Sequence, residues 1–457
     1  MLIHSTVAQT AAFLEAPWQG TPEAGDQLWT SVTLDSRQIQ PGGLFAALRG
    51  AQQDGHAYLA QAAAAGASVA LVETWQQEVP LAQIKVPCVR RALGRLAQQQ
   101  RAAFTGQVIA ITGNSGKTSV KTLVAHLLTH LGAKVLATRG NLNNDLGVPL
   151  TLFGLEPQQT HAVIELGANH LGEIDYLAGL VQPHVALITN VTGAHLGEFG
   201  SLEAIAQAKG ELLAHLQPQG TAVLNADDVF FSYWHKQLKD PSVQVLTYGL
   251  HQGDLSVAAE IQLDLQATQA ILCADQQRIP FTLDWPGQHN LSNALASLAV
   301  LQALGCPLDE AARALASLPE QQGRLHQFTT YAGAQLLDDS YNASPGAVKA
   351  ALATLALWSG ERWLVLGDLA ELGEASAAIH RELGQEARRQ GVTRLFALGQ
   401  DAALAAASFG EGGRVFTSHQ TLALALKQEL NPQTCVLVKG SRRAGMDQVV
   451  QHLTASL

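Results

Sequence analysis

The stretch VIAITGNSGKTSV, residues 108–120, carries the reading on which the fold hangs. Four β-branched residues and an alanine run into a glycine-bearing turn and then into a helix-compatible segment, the strand, loop and helix order of a phosphate-binding loop. The usual pattern G-x-x-x-x-G-K-[ST] needs glycine at position 111, where Ile111 stands; the first glycine is Gly113, so the loop is a shorter G-x-x-G-K-T. In such a loop the amides of Gly113, Asn114, Ser115 and Gly116 converge with a helix N-terminus on the phosphates of a nucleotide. Lys117 reaches the outer phosphates, and the Thr118 hydroxyl is placed for a divalent cation.

Outward from this loop, apolar strands alternate with helices. VIAIT, a helix over 118–131, KVLAT, HAVIEL, HVALITN, a helix over 201–215 and GTAVLN imply parallel strands buried on both faces. Residues 255–285 break the rhythm with LSVAAEIQL, QAILC and IPFTLDW, which predict an antiparallel appendage. Further on, QLLDDS, RWLVLGD, RLFALG and CVLVKGS again alternate with helices and predict a second, Rossmann-like doubly wound sheet. Before the loop, SVTL, LFAAL and SVALVE predict a small α/β unit, followed by EVPLAQIKVPCV, whose two prolines suit a connector. An α/β chain of three domains is expected, with boundaries at 1–84, 85–318 and 319–457. A length of 457 residues agrees, at roughly 100–200 residues per domain.

With 47% hydrophobic and 14% charged residues there is material for cores, and no apolar run approaches the roughly 18 residues a membrane span needs. No basic, apolar leader opens the chain, so a cytoplasmic protein is expected. A formal charge of −10 argues against non-specific nucleic-acid binding, which runs on clustered Lys and Arg. Cys88, Cys273, Cys306 and Cys435 lack any metal-binding spacing and read as inert thiols.

Several other residues are candidates for chemistry. Glu165 ends the strand AVIEL, at the strand end where ligand sites of open parallel sheets gather. His195 and Lys209 would pass for a surface histidine and a solvated helical lysine, and gain interest only from following a phosphate loop. The polar run containing Asn141, Asn143, Asn144 and Asp145 is a substrate-loop candidate or an ordinary Asn-rich turn. Lys439, Ser441 and Arg442 follow the strand CVLV, where a mobile last domain could carry them onto a reacting carboxylate or phosphate; a structural role is equally open.

GNLNNDLGVPLTL, VIELGANHLGEI, GQHNLSNALA, LLDDSYNASPGAV, LGDLAELG and VKGSR occur in that order around the short loop. Together they resemble the ATP-dependent Mur ligases of peptidoglycan precursor synthesis over all three segments. The nearest resemblance is to members that use a UDP-N-acetylmuramoyl tripeptide and D-alanyl-D-alanine. The resemblance implies ATP and two magnesium sites, one held by Thr118 and Glu165 and the other served by Glu165 and His195, with Lys209 carbamylated beside them. It also implies ATP contacts from Asn290 and Arg324 and a ribose contact from Asp339. The text LDSRQIQPGGLFAALRG and DGHAYLAQA is similar to the family's uridine-diphosphate domain and nominates Ser36, Arg37, Arg49 and His56. A monomer whose domains close on ligand is expected. Three competing readings have sequence counter-signs: a sister ligase adding the third amino acid would carry D-[ND]-P-R, a folate-tailing relative usually reads GKGS, and a guanine-nucleotide switch needs N-K-x-D.

Overall fold

The computed structural model describes residues 2–50, 53–193 and 196–454, which fold around three sheets of five, ten and six strands. The first sheet runs in the order Trp18–Gln19, Ala82–Lys85, Val69–Val72, Leu44–Ala46, Val32–Thr33, parallel except at its Trp18–Gln19 edge. Its second strand corrects the connector expected at 78–89. Pro80 and Pro87 stand just outside Ala82–Lys85, so they bound a strand instead of interrupting it, and every backbone donor inside it remains available to the ladder.

In the central sheet, Gln107–Thr112 lies between Val185–Ile188 on one side and His161–Glu165 on the other, all parallel. The chain therefore leaves this strand in both directions across the sheet, which makes its C-terminal end a topological switch point. Register fixes what gathers there: Ile111 pairs with Glu165 and Thr112 with Ile188, so Gly113, Leu166 and Thr189 all emerge at one edge. The helix Lys117–His130 leaves the same edge. Its Val120, Leu123, Val124, Leu127 and Leu128, spaced for one helical face, are buried in a core shared with the long helix Gln288–Ala303. The expected antiparallel appendage is present, Thr268–Ala274 pairing with Gln277–Leu283.

The third sheet orders as His326–Thr329, Gln335–Asp339, Thr434–Lys439, Glu361–Gly367, Arg394–Leu398, Gly413–Phe416, with only the first strand antiparallel. Its register sets Asp339 opposite Lys439 at the strand ends. Polar contacts join this unit to the central one: Ser115 Oγ lies 3.4 Å from Ser344 Oγ, Ser119 Oγ lies 3.4 Å from Gln321 Oε1, and the Gly197 N–H donates to the Glu371 carbonyl at 3.1 Å. No helix among the described residues is long and apolar enough to cross a membrane.

Helix packing in the third unit depends on one missing side chain. Gly384, in the helix Ser376–Arg389, lies so close to the helix Gln400–Phe409 that a Cβ would stand 2.1 Å from the Ala405 carbonyl oxygen. Backbone cannot give way as a flexible side chain can, so Gly384→Ala is expected to destabilise the protein by about 1–3 kcal/mol. Denaturant unfolding of the variant against the parent checks it.

Candidate active site

The phosphate loop is fixed on its outer side by the neighbouring strand. The Asn114 N–H donates to the Asn190 carbonyl at 2.9 Å and the Ser115 N–H to Asn190 Oδ1 at 3.0 Å, while Thr189 Oγ1 donates back to the Ser115 carbonyl at 2.7 Å. Glycine is required twice. At Gly113 (φ +140°) a Cβ would stand 2.0 Å from Thr189 Oγ1, and at Gly116 (φ +83°) one would stand 2.4 Å from Asn293 Oδ1. The Lys117 amine folds over the loop, donating to the carbonyls of Gly113 (2.7 Å) and Asn114 (3.0 Å). Burial holds its pKa below the usual lysine range, with the Arg324 charge adding to that and Glu165 opposing it.

Glu165 is 2% exposed. Its Oε1 accepts from Asn143 Nδ2 at 2.8 Å; its Oε2 is buried without a hydrogen-bond donor and lies 3.7 Å from the amine of Lys121. A buried carboxylate oxygen left undonated beside a phosphate loop is the hard donor a magnesium ion takes, so Glu165, with the Thr118 hydroxyl at the start of the loop helix, fits that ion. Among the described residues no three His, Cys, Asp or Glu side chains gather into a cage of their own, so phosphate and solvent oxygens would have to complete the coordination. His195 lies outside the described residues.

Lys209 is not on a solvated helix face; it is 1% exposed, its amine donating to the Ala168 carbonyl at 3.2 Å and standing 5.3 Å from the centre of the Phe199 ring. Burial, reinforced by the Lys117 charge, brings its pKa down to about 7 against the pull of Glu173 and Glu211. The side chain is thus poised between ammonium and free amine near neutral pH.

The loop, Lys117, Thr118 and Glu165 open onto a cavity of about 1430 Å³ between the central and third units, which Lys209 does not line. Asn141, Asn143, Asn144 and Asp145 line it, as do Asn290, Arg324, Asp339, Lys439, Ser441 and Arg442. The Asn141–Asp145 run is more than a turn. Asn143 holds Glu165, Asn144 Oδ1 accepts from the Gly147 N–H at 2.9 Å, and Asp145 pairs with Arg90 at 2.7 Å. Asp339 and Lys439 form a buried ion pair, with the Lys439 amine also donating to the Asn342 carbonyl at 3.1 Å. Burial raises the Asp339 pKa, and the Lys439 and Arg324 charges work against that rise. Arg324 and Arg442 converge on Tyr341, 4.6 and 5.9 Å from its ring centre. Ser441 Oγ donates to the Asp368 carbonyl at 2.6 Å.

The four candidates of the first unit do not line this cavity. Ser36 Oγ meets Gln61 Oε1 at 2.9 Å and Arg37 pairs with Asp35 at 2.7 Å. Arg49 donates to Thr74 Oγ1 at 2.8 Å. His56 accepts at Nε2 from the Glu73 N–H (2.9 Å), which leaves the proton on Nδ1, 2.6 Å from Asp54. Cavity residues that sequence reasoning passed over include Arg90, Arg91, Tyr176, His289, Asn293 and Tyr341, and beside Glu165 it missed Lys121. Two had a usable signal: Lys121 lies one helical turn beyond Lys117, and Asn293 three residues beyond Asn290 on the same face.

His289 provides a pH-dependent test. Burial, helped by the Lys439 charge, lowers its pKa from 6.5 to about 4, so the fold favours neutral imidazole. The stability this contributes is complete above pH 6.5 and lost as pH falls towards 4. The variant His289→Gln is therefore expected to lose less stability than the parent between pH 6.5 and 4, read from unfolding free energies across that window.

Family models match three stretches: the Mur ligase family catalytic domain over residues 29–101, the Mur ligase middle domain over 111–301, and the Mur ligase glutamate ligase domain over 323–442. The UDP-N-acetylmuramoyl-tripeptide--D-alanyl-D-alanine ligase of Escherichia coli strain K12 is 38% identical over 454 residues, covering 99% of both chains. Among solved structures, MurF from Acinetobacter baumannii superposes with a TM-score of 0.92 at 36% identity over 99% of each chain. MurF from Thermotoga maritima, in complex with ADP, gives 0.83 at 27% identity over 93% of this chain and 96% of that one. With the loop, the carboxylate and the opposing third unit in place, and with relatives this similar from end to end, the chain belongs to the Mur ligase family.

Proposed function

We propose that this protein is an ATP-dependent ligase that joins D-alanyl-D-alanine to the terminal carboxylate of UDP-N-acetylmuramoyl tripeptide, yielding the pentapeptide. The observation that carries the reading is the cavity itself, with a phosphate loop and Glu165 on one wall and Lys439, Arg324 and Arg442 on the other. A carboxylate is a poor electrophile. Transfer of the γ-phosphoryl group of ATP to it releases ADP and makes an acyl phosphate; attack by the dipeptide amine at the acyl carbon then forms the amide, expels phosphate and gives up a proton. Positioning and charge neutralisation supply the catalysis, and no enzyme nucleophile is needed.

In this scheme the loop Gly113, Asn114, Ser115 and Gly116 cradles the phosphates, the N–H groups of Asn114 and Ser115 staying on Asn190 to hold its shape while those at the start of the helix Lys117–His130 face the anion, and the Lys117 amine turns from the loop carbonyls to the transferring group. Asn290, Arg324 and Asp339 belong to the nucleotide; Asn141, Asn143, Asn144, Asp145, Lys439, Ser441 and Arg442 belong to the peptide substrates. Magnesium, when bound by Thr118, Glu165, His195 and a carbamylated Lys209, would supply charge neutralisation at the phosphates. The carbamate is supported by burial: an amine with about 1% exposure and a depressed pKa can add carbon dioxide with loss of a proton, which turns a misplaced cation into an oxygen donor. Ser36, Arg37, Arg49 and His56 are assigned to the uridine-diphosphate end, and the divisions 1–84, 85–318 and 319–457 to substrate, ATP and ligase units. A monomeric cytoplasmic enzyme acting without nucleic acid completes the reading.

The test is a phosphate-release assay with UDP-N-acetylmuramoyl tripeptide, D-alanyl-D-alanine and ATP, with the pentapeptide identified by mass. Turnover should require both peptide substrates; ATP hydrolysis indifferent to them would overturn the reading. Lys117→Ala should lower kcat at least a hundredfold, about 3 kcal/mol of transition-state stabilisation, with the unfolding transition retained.

A further inference from the structure

Away from the third unit, the cavity ends against the helix Val89–Ala102, and the charges there do not balance locally. From Glu165 the wall runs through Asn143 to Asp145, whose carboxylate is taken by Arg90 at 2.7 Å. Glu173 accepts from the Asn169 N–H at 2.7 Å and faces His170 Nδ1 at 3.1 Å. Glu211 accepts from the N–H groups of Gly172 (2.8 Å) and Asp175 (3.0 Å). Each carboxylate at this end therefore has its partner. Arg91 has no acid: it is exposed and lines the cavity, its guanidinium carbon 4.1 Å from the centre of the Tyr176 ring and its side chain engaged with that tyrosine, and among the described residues no carboxylate pairs with it.

A guanidinium seated on an aromatic face is held in place while its N–H edge remains available, and that planar fork matches an oxyanion bidentately. A guanidinium placed only for packing would not need to face the cavity beside an arginine that already neutralises the nearest acid. We propose that Arg91 is a specificity-determining residue that receives an oxyanion of the acyl-donor substrate. Resting on the ligase reading above, this oxyanion is either a side-chain carboxylate on the third residue of the tripeptide or a phosphate of its UDP.

The experiment compares the parent with Arg91→Gln and Arg91→Lys on three acyl donors: the UDP-linked tripeptide ending in diaminopimelate, which carries the extra carboxylate, the one ending in lysine, which does not, and a UDP-free muramoyl tripeptide ending in lysine. Arg91 is exposed, so the variants should fold, and their melting temperatures monitor this. If the carboxylate is the ligand, Arg91→Gln raises KM roughly tenfold or more for the diaminopimelate donor alone, with kcat held. If a phosphate is the ligand, both UDP donors weaken alike and the UDP-free donor is unaffected. In either case Arg91→Lys loses less than Arg91→Gln, because a point charge replaces the fork. Unchanged KM for every donor, an equal loss for all three, or a loss confined to D-alanyl-D-alanine overturns the proposal. Failure of the parent protein to ligate any of them would instead count against the ligase reading.

Discussion

Ile111 and Glu165 are register partners in adjacent parallel strands, and the active cavity depends on that pairing. Because the strands run the same way, the phosphate loop and the carboxylate leave the sheet at one edge, with Thr189 and Asn190, just past the end of the strand on the other side, clamping the loop. The side chains brought together are costly to bury: Lys117 and Lys121 stand against Glu165, and Lys209 lies close enough to Lys117 to feel its charge. Burial pushes each of the three amines towards its neutral form. A polyanionic nucleotide is the natural complement to such an imbalance, and no single side chain of the fold supplies that much negative charge.

The third unit completes the site by the same device. Parallel pairing of Gln335–Asp339 with Thr434–Lys439 brings an acid and a base side by side at two strand ends, where they are held as an ion pair facing the loop. Both sheets thus present their chemistry from the C-terminal ends of their strands, so the cavity is bounded by two such edges with Arg324 and Arg442 stacked on Tyr341 between them.

Much of this was legible in the residues. The loop was readable because a β-branched strand, two obligatory glycines and an apolar helix face each leave a local signature. The strand Ala82–Lys85 was not, since prolines at both its flanks mimic a connector and only pairing across the sheet shows that neither one interrupts the ladder. Glu165 could be placed from its strand end, but its undonated oxygen and its neighbour Lys121 depend on contacts between segments far apart in the chain. Lys209 reads as a surface lysine until the fold buries it, and Arg91 reads as one more helix charge until Asp145 is seen to be occupied by Arg90. His56 shows the reverse, a histidine in a motif whose two nitrogens are both engaged inside its own unit.

Ser344 belongs to two structures at once. Its Oγ caps the helix Pro345–Leu355 by accepting from the Ala347 N–H at 3.3 Å, and the same oxygen lies 3.4 Å from Ser115 Oγ in the phosphate loop. A helix start in the third unit is therefore fastened with an atom that also touches the glycine-bearing loop of the central one. An oxygen that ends one helix and touches another unit's loop has its position set from two sides, so that loop and that helix start cannot be placed independently.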